Sequence, residues 1–173
     1  MSVTSTSPSS APLSAVRRAW MAVLARTPRA DLEAALERAL HGLPAPAYDW
    51  LRPPEIGLAM VRGRVGGSGD PFNLGEATVT RATLRLRVPG DTDTDTDAGT
   101  GAAVGVACHL GRDRRRAELA ALADALLQLP EHHASLHRQL IEPLAAQQAA
   151  RRTERQQDAA ATRVEFFTMV RGE

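Results

Sequence analysis

The period of the apolar positions changes twice along the chain. Val16, Trp20, Val23 and Leu24 fall at i, i+4, i+7 and i+8, which predicts a first helix with one buried face. Thr27-Pro28 offers a cap and a first-turn proline for a second helix, whose stripe is Leu32, Leu36 and Leu40 with Ala35 and Ala39 between them. Gly42 and Pro44 end it. The period then becomes two. Tyr48 and Trp50 alternate with Asp49 before Pro53-Pro54, as in a short edge strand. Ile56, Leu58 and Met60 oppose Gly57, Ala59 and Val61 in a strand partly covered on both faces. After a Gly-rich connection, Ala77 and Val79 point one way and Ala82, Leu84, Leu86 and Val88 the other. That slip predicts a β-bulge near Thr80-Arg81. Val104, Val106, Cys108 and Leu110 form the apolar face of a further strand, with Cys108 in the core and His109 on the opposite face. From Asp113 the helical period returns in Leu119, Leu122, Ala123, Leu126 and Leu129; more helix follows Pro130, and Pro143 restarts it. The expected fold is α+β: an antiparallel sheet of about four strands packed by N-terminal and C-terminal helices, with an extended C-terminal tail.

The two ends differ from the middle. Residues 1–15 are Ser/Thr/Pro-rich and read as a disordered lead-in, and residues 16–173 as a single domain. From Ala145 to Ala161 the only apolar residue is alanine, so this helix bridges, docks on a partner or stands in solvent. Two of the three phenylalanines then appear in the closing segment Val164 to Arg171, an apolar tail that asks for a partner surface. The polar helix and this tail fill residues 143–173.

Composition narrows the chemistry. All 21 basic residues are arginine, which excludes lysine Schiff bases and a Walker lysine. The formal charge of +1 and the scarcity of aromatics speak against nucleic acid. With no membrane-length apolar run, no signal peptide and one cysteine, the expectation is a soluble cytoplasmic protein without a membrane partner.

The candidate site residues lie in three places. Gly66, Gly67 and Gly69 precede Phe72, Glu76, Thr80 and Arg81. A strand-like run follows the glycines, rather than the helix a phosphate loop needs, so a loop shaped for another backbone or subunit is the better reading. Arg112, Arg114 and Arg116 surround a helix start capped by Asp113. Cations there oppose the helix dipole, which suits a bound anion, although a solvated cluster is the simpler alternative. His133 and His137 share a helix face but have no third ligand at metal-binding spacing, and the Asp91–Asp97 run lacks the glycine and glutamate of a calcium loop. No metal and no catalytic set of its own are expected. Phe166, Phe167, Met169 and Arg171 would anchor the tail.

With these segments in hand, a resemblance follows. Gly66-Gly67-Ser68-Gly69 with Phe72, then Gly75 to Arg81, is similar to the Gly-rich segment of the PhnG subunits of the bacterial carbon–phosphorus lyase system. Gly111-Arg112-Asp113, with Ala117-Glu118 and Ala121 to Leu126, resembles their next block, and Arg163 to Gly172 resembles their closing segment almost throughout. Arg116 departs from the histidine of some members, and the Asp/Thr run looks like an insertion. The resemblance implies a core complex with companion subunits H, I and J and an ATPase-like L subunit, acting on organophosphonates. In it, G, H, I and L take part in displacing adenine from ATP by a phosphonate, giving ribose 1-phosphonate 5-triphosphate. ATP is a substrate of that complex. The radical step belongs to J, with its iron–sulfur cluster and S-adenosylmethionine, and no cofactor is expected on this chain alone. One cysteine cannot hold such a cluster, which takes three or four thiolates.

Overall fold

A computed structural model of the protein describes residues 13–87 and 103–162. In chain order the elements are α1 (Leu13–Leu24), α2 (Arg29–Ala39), β1 (Tyr48–Arg64), β2 (Pro71–Leu86), β3 (Val104–Leu110), α3 (Arg114–Leu127), α4 (Pro130–Leu136) and α5 (Glu142–Ala161). The sheet is antiparallel in the order β1-β2-β3, and helices cover one of its faces. This is the α+β arrangement the periodicity predicts, with three strands where about four are expected. The two short strands expected around Pro53-Pro54 are one 17-residue strand. Proline has no N–H to give to a ladder, but β1 lies at the sheet edge, and register irregularities between Trp50 and Glu55 absorb the pair.

The expected bulge at Thr80-Arg81 is absent. Pairing runs without interruption through Ile56↔Thr80 on one side and Thr80↔His109 on the other. Thr80 is itself a core residue, fully buried beside Ala82, Leu84 and Leu86, and its hydroxyl donates to the Gly111 carbonyl (2.7 Å). One satisfied polar residue in the buried row imitates a change of phase. The irregularity on β2 lies nearer the hairpin tip, where Leu74 is extra between Val61↔Gly75 and Arg62↔Asn73.

β3 is turned over relative to the expectation. Gly105, Ala107 and His109 face the helices, while Cys108 and Leu110 are exposed. The cause is close packing. A Cβ built on Gly105 would lie 1.9 Å from the Ala121 carbonyl oxygen and 2.8 Å from the Ala125 methyl, so only the small-residue row of β3 can lie under α3. Cys108 is therefore not a core residue. His109 is buried, with Nδ1 2.9 Å from the Leu110 carbonyl and Nε2 3.0 Å from that of Asp113, which ties down the turn into α3.

Asp124 of α3 is the buried polar centre, with no exposed side-chain surface. Its carboxylate accepts from Arg17 Nε (3.2 Å) and Nη2 (2.7 Å), Trp20 Nε1 (2.8 Å) and the Val106 amide (2.9 Å). It thereby joins α1, α3 and β3. Thr27 does not cap α2. Pro28 holds the cap position, and the buried Thr27 hydroxyl donates to the Val23 carbonyl (2.8 Å) and accepts from Gln148 (2.9 Å). A π-helical turn at His137–Ile141 leads into α5, where Pro143 brings no N–H and its ring crowds the carbonyl four residues back. α5 touches the body through Leu144, Gln148 and Arg151, the last bonded to Asp31 (3.0 Å); residues 152–162 are all exposed.

Two outcomes follow from this packing. Asp124→Ala leaves Arg17, Trp20 and the Val106 amide without their acceptor and should cost about 3 kcal/mol in urea unfolding, the lower end for a broken buried pair because Arg17 is one-third exposed. Gly105→Ala should cost about 2–3 kcal/mol by driving a methyl into backbone. Tyr48, the only tyrosine, donates to Glu118 (2.7 Å). Burial first, and then that bond, push its pKa up to about 12 from 10.0. The folded value lies above the unfolded one, so this contribution to stability is complete below pH 10 and is lost as pH rises through about 12. Absorbance titration of the native protein should find tyrosinate forming near pH 12, and Glu118→Gln should bring the midpoint down toward 10.

Candidate functional site

β3 pairs with β2 only over Val79–Arg85, so beyond Val79 the β1–β2 hairpin continues as a two-stranded arm. Leu58–Arg64 and Pro71–Thr78 make it roughly 23 Å long at the usual rise per residue. Its helix-side face carries Leu58 (64% exposed) and Met60 (52%), continuing from Ile56 at the root. Toward the tip, Phe72 and Leu74 (62% exposed) lie across Gly63, whose added Cβ would come within 2.9 Å of Leu74. Exposed apolar side chains on both faces of a projecting hairpin mark an interaction surface, since single domains seldom leave so many together.

Most of the loop candidates fall on this arm. Gly66, Gly67 and Gly69 form its tip, where Gly66 (φ 59°) and Gly67 (φ 84°) take the left-handed backbone that glycine tolerates. The Gly69 amide donates back to the Val65 carbonyl (2.8 Å), closing the turn on itself. Its amides are thus not gathered toward a common point at a helix start, as a phosphate cradle requires. Glu76 is exposed midway along, opposite Met60. Thr80 is buried at the root, and Arg81 pairs with Glu55 across the strands (3.4 Å). One segment is thus spread from tip to root, and its residues do not converge.

The arginine group is divided in the same way. Asp113 caps α3 as expected, accepting from the Arg116 amide (3.0 Å). Arg116 turns inward to the Ala25 carbonyl; its Nε is buried without a partner among the described residues, and burial lowers its pKa. Arg115, between Arg114 and Arg116 in the first turn, is held by Glu118 (2.7 Å) and Glu33 (3.5 Å). Arg112 and Arg114 alone point outward, at the foot of the arm where the Gly111 amide donates to the Thr78 carbonyl (2.9 Å).

His133 and His137 each have a partner of their own. His133 Nδ1 faces the Leu127 carbonyl (2.7 Å) and its ring packs edge-on against Trp20, while His137 lies 3.3 Å from Glu142. Among the described residues no three His, Cys, Asp or Glu side chains could hold an ion together. Phe166, Phe167, Met169, Arg171 and the Asp91–Asp97 run lie outside the described residues. Sequence reasoning missed the exposed apolar face of Ile56, Leu58 and Met60, which reads as an ordinary covered strand.

A family model described as phosphonate metabolism protein PhnG matches residues 15–172. The chain belongs to the PhnG family. This PhnG-family chain is also 48% identical over 159 residues to the alpha-D-ribose 1-methylphosphonate 5-triphosphate synthase subunit PhnG of Rhizobium meliloti (strain 1021), covering 92% of this chain and 91% of the relative. Within the described residues, no helix is long and apolar enough to cross a membrane.

The two classes of arginine should separate in urea unfolding. Arg112→Ala with Arg114→Ala should leave stability within about 0.5 kcal/mol, as for surface positions without partners. Arg116→Ala should cost about 2 kcal/mol, because it removes packed side-chain surface and strands the Ala25 carbonyl.

Proposed function

We propose that this chain is an assembly subunit of the machinery that transfers a phosphonate to ATP with release of adenine, the ribose 1-phosphonate 5-triphosphate synthase of organophosphonate catabolism. The near-full-length match to a relative named as a subunit of alpha-D-ribose 1-methylphosphonate 5-triphosphate synthase supports the reading most directly. The projecting arm agrees with it, since a subunit that works by assembly needs exposed apolar surface more than converging catalytic groups. In this reading the companions are subunits H, I and J and the ATPase-like L, and the complex works in the cytoplasm. ATP and phosphonate are substrates of the assembly. The iron–sulfur cluster and S-adenosylmethionine stay on J, and this chain contributes side chains only across an interface. The arm residues Gly66, Gly67, Gly69, Phe72, Glu76, Thr80 and Arg81 shape or support one contact surface. Phe166, Phe167, Met169 and Arg171 anchor the tail in another. Arg112 and Arg114 suit an acidic patch on a companion at the foot of the arm.

Co-expression with the companion subunits, size-exclusion chromatography and an adenine-release assay test this. The full chain should co-elute and support adenine release. Deleting residues 164–173 should abolish co-elution while leaving the urea unfolding of the sheet unchanged. Normal co-elution of the truncated chain would remove the tail from the interface, and adenine release at full rate without this chain would sink the reading.

A further inference from the structure

The two edges of the sheet are finished differently. At the start of β3 two outward main-chain groups are already occupied by side chains: the Val106 amide donates to Asp124 (2.9 Å), and the Val104 carbonyl accepts from Arg17 (3.1 Å) and Gln128 (2.8 Å). A strand adding there would have to displace Asp124, Arg17 and Gln128 from these groups. At β1 the first half is guarded by Pro53 and Pro54, which cannot donate. From Ile56 to Gly63 there is no such guard. Among the described residues these main-chain groups bond only to β2, and the outer edge faces no other strand. Apolar side chains alternate along it, with Ile56, Leu58 and Met60 on the helix-side face and Ala59 and Val61 on the other. A row of open N–H and C=O groups is matched best by another backbone, so the chemistry selects a β-strand as occupant over a helix or a small molecule.

Charge decides whose strand it is. Arg62 shares the face of Leu58 and Met60 and finds no carboxylate among the described residues. In a symmetric pairing of two β1 edges the two-fold axis stands normal to the sheet, and each face stays on its own side. Arg62 would then meet Ile56, Leu58, Met60, Arg62 or Arg64 of the second copy, and never an acid; Glu55 lies on the other face, paired with Arg81. A strand of different sequence has no such restriction. We propose that the β1 edge from Ile56 to Gly63 takes one extended strand of a companion subunit. That strand is apolar on the side continuing Leu58 and Met60 and places a carboxylate against Arg62. The proposal rests on the assembly reading above and specifies how the contact is made.

Amide hydrogen exchange, read by NMR in the isolated full chain and in the complex co-expressed with the companion subunits, tests it. In an antiparallel edge strand every second N–H points outward. Between Ile56 and Gly63 the outward amides should exchange freely in the isolated chain and slow by roughly 100-fold or more in the complex, while the interleaved amides bonded to β2 are slow in both. Ala59→Pro and Met60→Pro give a second measure, because one removes a ladder donor and the other an outward donor. The outward variant should keep the native circular dichroism and lose the complex. Arg62→Glu should weaken co-elution at least about tenfold, as for a like charge placed against a buried carboxylate. A complex that forms without alternate-amide protection overturns the strand proposal and leaves the assembly reading intact. Protection already present in the isolated chain also overturns it: truncation after Thr162 then assigns the edge to residues 163–173 if protection is lost, or to a second copy if protection persists and the protein is dimeric. Failure of the full chain to form any complex removes the assembly reading, and this inference with it.

Discussion

A carboxylate with no access to water must find its hydrogen bonds inside the protein, and Asp124 finds them on two other elements. Arg17 and Trp20 come from α1 and the Val106 amide from β3, so α1 cannot leave α3 without stranding a buried charge. The ion pair itself need not add much net stability, since the desolvation of Asp124 offsets much of the attraction. What it adds is specificity: α1, α3 and β3 can satisfy the carboxylate in one arrangement. It also occupies the start of the β3 edge, because Arg17 and Gln128 both reach the Val104 carbonyl.

The rest of the molecule follows from that packing. The helices pack over β3 and the first half of the β1–β2 hairpin, where small residues allow contact; Gly105 lies directly beneath the Ala121 carbonyl. Beyond Val79 no helix or third strand among the described residues covers the hairpin, which projects as an arm with Leu58, Met60 and Leu74 exposed. Among the described residues one edge of the sheet is partly occupied by side chains, and the other is open and apolar. Polar groups are present in number, but they are spent on structure. Thr80 holds Gly111, His109 holds the turn into α3, and Arg116 faces the α1–α2 connection.

The helices were legible because a 3.6-residue stripe has one interpretation once its length and caps are known. Leu32, Ala35 and Leu36 are buried as their spacing predicts, and Asp113 caps α3. The strands were less so. β3 alternates between a branched row and a small row, and hydrophobicity alone favours the branched row for the core. Close approach of α3 reverses the choice, since only Gly105 and Ala107 leave room. Thr80 misled for a related reason: a buried hydroxyl with a partner is invisible to a pattern built on apolarity.

The element types, the α+β class, the cap at Asp113 and the family can be read along the chain, because local periodicity, capping chemistry and motif residues act over a few positions. Tertiary structure decided which face of β3 is inside, that Pro53-Pro54 interrupt no strand, that Arg116 is internal while Arg112 and Arg114 are free to meet a partner, and that half the hairpin lies beyond the helices. Each of these depends on which segments distant in the chain come within van der Waals or hydrogen-bond reach, a condition no local pattern contains.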